Sequence, residues 1–118
     1  KWLEAHPLVK KVMHPALESD RGHHIWKRDF TGAASLFGFI INETDQTKVA
    51  AFLDGMKLFG MGSSWGGYES LLIPTFPNEN RSVTKWEPDG QTMRIHIGLE
   101  DPEDLIADLE NGLRRLAT

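Results

Sequence analysis

Ser63-Ser64-Trp65-Gly66-Gly67-Tyr68-Glu69-Ser70, read together with Met93-Arg94-Ile95-His96-Ile97-Gly98-Leu99-Glu100-Asp101, is the stretch on which the fold and function of this chain turn. Adjacent glycines let a backbone bend tightly and approach a ligand closely. The serines before them offer hydroxyls and backbone N–H groups, and Trp65 adds a flat wall with one indole donor. The second segment alternates: Ile95 and Ile97 point one way, Arg94 and His96 the other, as on a half-buried strand. Taken alone, the glycine pair reads as a tight surface turn and Arg94 as a solvated strand charge. Together they point to a site, because a guanidinium beside a serine-rich loop matches a carboxylate in a two-pronged fork. His96 shares the face of Arg94 and is either a group behind the pocket or an exposed strand residue, the second being preferred.

Outward from these segments, the chain reads as mixed helix and strand. Lys1 to Ala5 reads as the tail of a helix ending at His6-Pro7, so the chain is expected to be a piece of something longer. Leu8 to Met13 fits a short strand before a turn at Pro15. Asp20 to Thr31 has no clean period and reads as a surface connection. Ser35 to Ile41 is apolar on both parities, as in a strand covered on both faces. Thr44 or Asp45 then caps a helix carrying Val49, Phe52, Leu53, Met56 and Phe59. Glu69 to Ile73 is extended until Pro74 and Pro77 break it, and Asn78 to Gly90 is polar and irregular. The last helix has the strongest signals. Asp101 is its N-cap, Pro102 its first residue, and Glu103 and Asp104 complement the dipole. Leu105, Ile106, Leu109, Leu113 and Leu116 form its buried stripe, with Arg114 and Arg115 in the last turn. Gly112 inside this helix costs about 1 kcal/mol relative to alanine. The expected fold is α+β: a small, mainly antiparallel sheet with helices packed on one face.

Composition removes several classes of function. A chain of 118 residues with 40% hydrophobic and 25% charged residues is an ordinary single globular domain. The net charge of −4 gives no reason to expect a nucleic-acid partner. There is no cysteine, hence neither disulfide nor thiolate chemistry. No apolar run approaches membrane-spanning length and the N-terminus has no signal-peptide pattern, so no membrane partner and a cytoplasmic location are expected.

The pieces, in their order and spacing, resemble the C-terminal domain of the Cys/Met-metabolism family of pyridoxal-phosphate (PLP) enzymes. They are the Trp2-Leu3 helix end, the His14-Pro15-Ala16-Leu17 turn, Phe30-Thr31-Gly32-Ala33, the serine–glycine run and the Gly98-Leu99-Glu100-Asp101 helix start. Within that family the tryptophan after the second serine is most similar to the cystathionine β-lyases. Pro15-Ala16-Leu17 departs from the family's common Pro-Gly-Leu, with no consequence for chemistry. The resemblance implies that residues 1–118 are one C-terminal domain, preceded in the complete enzyme by a PLP-binding domain. It implies that Arg94 binds the α-carboxylate of a small amino-acid substrate, that Ser64 assists there, and that Trp65 lines the same pocket. The whole enzyme is expected to be a homo-oligomer, a tetramer, converting L-cystathionine to homocysteine, pyruvate and ammonia in methionine biosynthesis.

The resemblance also implies a Schiff-base lysine, and none of the lysines here has the right setting. Ser82-Val83-Thr84-Lys85-Trp86 echoes the family's Ser-x-Thr-Lys-Tyr, but it follows the serine–glycine loop instead of preceding it. Lys85 is therefore expected to be a solvated loop lysine, no cofactor is expected on this chain, and the chain alone is expected to be inactive. His6, His14, His23, His24 and His96 show no closed ligand spacing, and no metal is expected. A domain of a γ-lyase or γ-synthase, or a non-catalytic binding or assembly module of the same fold, remains open.

Overall fold

Apolar runs separated by polar turns pair into one antiparallel sheet. Its strands are β1 (Val9–Met13), β2 (Leu36–Ile41), β3 (Leu71–Thr75) and β4 (Gln91–His96), in spatial order β1-β2-β4-β3. The helices are α1 (Trp2–Ala5), α2 (His23–Asp29), α3 (Gln46–Asp54) and α4 (Pro102–Ala117). The computed structural model describes every residue from Lys1 to Thr118.

Register sorts the side chains of the central strands. Phe37 lies opposite Ile95 and Phe39 opposite Met93, so these residues share one face with Leu72 of β3 and Val12 of β1. On that face α3 contributes Val49, Phe52 and Leu53, and α4 contributes Leu105, Leu109, Leu113 and Leu116, to a single buried cluster. This is the expected α+β arrangement.

The helix boundaries follow their caps. Asp45 caps α3, its carboxylate accepting from the Thr47 N–H at 2.9 Å, and Thr44 stands outside. Asp101 caps α4, accepting from the Glu103 N–H at 2.8 Å, with Pro102 as the first helical residue. Gly112 is explained by packing: a Cβ there would lie 2.6 Å from the Met56 sulfur and 3.0 Å from the Phe52 ring. The closeness of α3 to α4 makes the poor helix former useful.

Several expectations need correction. The stretch Asp20 to Thr31 contains α2, a two-turn helix with no buried residue. Its apolar side chains are too few to show a helical period, and it is tied down by the bond from the Trp26 indole N–H to the Gly32 carbonyl and by the contact of His23 with the Pro15 carbonyl. α3 ends at Asp54, so Met56 and Phe59 lie beyond the helix. β3 runs through Pro74 to Thr75, because an edge strand with one neighbour tolerates a missing N–H. Ile106 is 37% exposed, at the margin of the α4 stripe. β2 is covered fully only over Phe39 to Ile41; Leu36 to Gly38 are half-buried.

Phe59 is nevertheless in the core, and Asp108 is the reason. This α4 carboxylate is 7% exposed and gathers the turn that follows α3. Its Oδ2 accepts from the Leu58 N–H at 2.8 Å and from the Lys57 and Phe59 N–H groups at 3.2 Å, while Oδ1 accepts from Lys57 at 2.9 Å. Hydrogen bonds to an ionised group are among the stronger ones. Asp108→Ala should therefore lower the unfolding free energy by about 3 kcal/mol, and Asp108→Asn by roughly half of that. Urea unfolding of the two variants beside the parent checks both the size and the order.

Candidate functional site

The face of the sheet turned away from α3 and α4 carries the other parity: Gly38 and Ile40 of β2, Thr92, Arg94 and His96 of β4, and Ile73 of β3. Arg94 stands in register between Gly38 and Ile73, half-buried, on the side opposite the core helices. The Ser63–Ser70 loop crosses this face and is laced to β4 and its continuation. Arg94 Nη2 donates to the Ser63 carbonyl at 2.7 Å. His96 Nε2 lies 3.0 Å from the Gly67 carbonyl oxygen, and its Nδ1 lies 3.5 Å from the Gly66 nitrogen and 3.3 Å from the Ser35 hydroxyl. The Leu99 N–H donates to the Tyr68 carbonyl at 2.8 Å.

The far end of the loop is held by a carboxylate. Glu100 accepts from the Ser70 N–H at 3.0 Å and from the Ser70 hydroxyl at 2.8 Å, and that hydroxyl accepts from the Gly98 N–H at 2.8 Å. Ser70 itself is fully buried. The Ser70 N–H, more than any other group, holds the Glu100 carboxyl below its ordinary value against the opposing effect of burial. Glycine serves two positions here. Gly66 has φ +83°, and a Cβ at Gly98 would fall on the Tyr68 carbonyl oxygen.

The structure thus brings Arg94, Ser64 and Trp65 to one surface. Ser64 and Trp65 form the crest of the loop, with Trp65 60% exposed. Arg94 forms no ion pair within the chain, and its Nε and Nη1 have no protein hydrogen-bond partner. His96, expected to be exposed, is only 4% exposed. Alternation places a residue on a face but does not show that a loop covers it. Ser35, Ser70 and Glu100 were not singled out at all, since their roles depend on partners 28 to 61 residues away.

Other candidates stay apart from this face. His6 Nδ1 accepts from the Leu8 N–H at 3.1 Å while its Nε2 lies 3.3 Å from a Glu110 carboxylate oxygen, and His14 Nδ1 accepts from the Ala16 N–H at 3.1 Å while its Nε2 lies 3.2 Å from the Ala34 carbonyl oxygen. His23 lies 2.9 Å from the Pro15 carbonyl. A cleft of about 410 Å³ between α2 and the β1–β2 edge is lined mainly by apolar side chains such as Met13, Ile25, Trp26 and Phe30. It holds no arginine or carboxylate.

Comparison with known proteins shows the family. Residues 1–114 match the family described as Cys/Met metabolism PLP-dependent enzyme, and the chain belongs to that family. It is 47% identical over 116 residues to a putative cystathionine β-lyase of Rhizobium johnstonii, covering 95% of this chain and 29% of the relative. It is 46% identical over 120 residues to a cystathionine β-lyase of Escherichia coli, covering 98% and 30%. A crystal structure of cystathionine γ-synthase from Xanthomonas oryzae pv. oryzae, in complex with aminoacrylate and cysteine, superposes with a TM-score of 0.80 at 29% identity, covering 98% and 31%. Two further relatives carry other activities in their names: an L-alanine/L-glutamate racemase of Wolbachia pipientis at 44% identity over 98% of this chain and 29% of the relative, and a cystathionine γ-synthase of E. coli at 40% over 97% and 31%. The chain spans about 30% of the length of the curated relatives it matches.

The family is PLP-dependent, but the residues of this chain do not fit that cofactor by themselves. Lys1, Lys10, Lys11, Lys27, Lys48, Lys57 and Lys85 are all exposed. No helix is long and apolar enough to cross a membrane.

Glu100 gives the loop a pH dependence. A carboxyl whose value is lowered on folding adds stability above its unfolded value, and that stability is lost as pH falls through the lowered one. The Glu100 contribution should be complete above pH 4.5 and fall away below it. Glu100→Gln should lose it at every pH and flatten the acid limb of stability below pH 4.5, read by urea unfolding.

Proposed function

We propose that this chain is the C-terminal, substrate-recognising domain of a PLP-dependent carbon–sulfur lyase of the cystathionine β-lyase type, working in a cytoplasmic homo-oligomer. The complete enzyme takes L-cystathionine and water to homocysteine, pyruvate and ammonia. The chain's own share is binding. Arg94 receives the α-carboxylate, the Ser64 hydroxyl donates a further hydrogen bond, and Trp65 walls the site and excludes water. Positioning of this kind lowers a barrier by pre-aligning the reacting groups.

One observation carries this reading: the Arg94 guanidinium, half-buried and without a carboxylate partner, leaves Nε and Nη1 free beneath the Ser64-Trp65 crest. One Nη is already fixed on the Ser63 carbonyl, so the fork is oriented before a ligand arrives. The β-lyase assignment draws on Trp65 and on the 46% identity to the E. coli β-lyase, against 40% to the γ-synthase of the same organism. A second reading, a domain of a γ-synthase or of an amino-acid racemase, draws on the 44% identity to the Wolbachia racemase and on the γ-synthase structure. The substrates in those names also carry an α-carboxylate, so Arg94 would keep its task and only the chemistry elsewhere would differ.

Arg94→Ala in the complete enzyme should leave fold and cofactor absorbance intact, because Ile95 and Met93 make the core contacts of β4. Losing a desolvated guanidinium–carboxylate pair costs on the order of 2–5 kcal/mol. The expected fall in kcat/KM for L-cystathionine is roughly thirty-fold to several-thousand-fold. Arg94→Lys should recover only part of it, since an ammonium lacks the fork, and Ser64→Ala should cost about 1–3 kcal/mol. Wild-type kinetics in folded Arg94→Ala would remove the assignment, and parallel assays for racemisation and γ-replacement decide between the two readings.

A further inference from the structure

Arg94 and His96 are alternate residues of one strand, and each holds one foot of the arch from Ser63 to Gly67. Between the feet stand Ser64 and Trp65, whose side chains make no hydrogen bond to the rest of the chain. Gly66 at φ +83° and its neighbour Gly67 give the arch little stiffness of its own. Whatever fixes the crest relative to Arg94 must act through the feet.

His96 is built for that task. It is 4% exposed, so its ring polar atoms depend on protein partners. With the proton on Nε2, the neutral ring donates to the Gly67 carbonyl at 3.0 Å and accepts at Nδ1 from the Ser35 hydroxyl at 3.3 Å and the Gly66 N–H at 3.5 Å. The other tautomer would set an N–H against the Gly66 N–H and leave a bare nitrogen facing a carbonyl oxygen. Only the Nε2-protonated form serves every neighbour.

We propose that His96 is a positioning residue for substrate binding: as a neutral, Nε2-protonated imidazole it holds Ser64 and Trp65 at a fixed offset from the Arg94 guanidinium. This rests on the reading of Arg94, Ser64 and Trp65 as the groups that meet substrate. An arch ordered in advance spares the substrate the entropy of ordering it. The cost of ordering the arch falls on substrate binding, so its loss raises KM, while Arg94, still bonded to the Ser63 carbonyl, keeps the carboxylate aligned and kcat with it.

The test uses the complete, cofactor-loaded enzyme with L-cystathionine, joined to hydrogen–deuterium exchange over the peptide spanning residues 60–70. His96→Leu removes the ring donor and acceptor at similar volume. It should speed exchange at the Ser64 to Gly67 amides by about ten-fold and raise KM by about ten-fold, with kcat within about two-fold and cofactor absorbance unchanged. His96→Gln, whose amide N–H reaches the Gly67 carbonyl, should restore most of the KM. The proposal is overturned if His96→Leu keeps parental exchange and KM, or if His96→Gln is as impaired as His96→Leu. Where His96→Leu does not fold, His96→Asn, which keeps an acceptor near Nδ1 and loses the donor to Gly67, is held to the same two measurements. Faster exchange with an unchanged KM also overturns the proposal, with the fault in the substrate reading, and unchanged kinetics in Arg94→Ala would show that fault separately.

Discussion

The hydrogen bonds that run from β4 and its continuation into the Ser63–Ser70 loop are the interaction on which the rest of the solvent-facing side depends. Ser63, Gly67, Tyr68 and Ser70 are gripped in turn by Arg94, His96, Leu99 and Glu100. A loop with adjacent glycines has the most conformational freedom to lose on ordering. No single bond of modest net strength would hold it. The strand supplies a row of them, and alternation frees Met93 and Ile95 to build the core from the other side of the same backbone.

The helix that follows extends this control. Glu100 grips the end of the loop while the next residue, Asp101, caps α4. Two turns further along α4, Asp108 holds the Lys57–Phe59 turn where the same segment begins. The stretch from Lys57 to Ser70 is thus fastened at both ends by carboxylates, one within α4 and one on the residue just before its N-cap. Displacing α4 would move the crest, and a crest fixed in this manner shares the rigidity of the core.

The sequence was most readable where signals are local. Asp101-Pro102 with its acidic first turn marked α4 to the residue, β2 showed in its apolar run and β4 in the alternation of Ile95 with Arg94 and His96. Family resemblance pointed to Arg94, Ser64 and Trp65, and the structure shows Arg94 bonded to the carbonyl of Ser63, the residue before Ser64. What escaped was non-local. α2 has too few apolar residues to show a period, and Pro74 reads as a breaker until β3 is known to lie at the edge. The parity of His96 placed it on the right face and gave the wrong exposure, because its cover comes from Gly66 and Gly67, 30 and 29 residues away. Glu100 looked like part of a helix start, with nothing in its neighbours to reveal Ser70.

Pro74 has a wider consequence. The edge of a sheet invites further strands, from another copy or from a partly folded chain, and Gly60 already bonds the outer side of β3 at Ser70 and Leu72. On the β3 side, the proline removes one donor from any new ladder. On the β1 side, the pairing with β2 slips between Val9 and Lys11, and Lys10 and Lys11 stand exposed along that strand. Irregular backbone and positive charge both discourage strand addition. Growth of this sheet by edge pairing is therefore obstructed at either end.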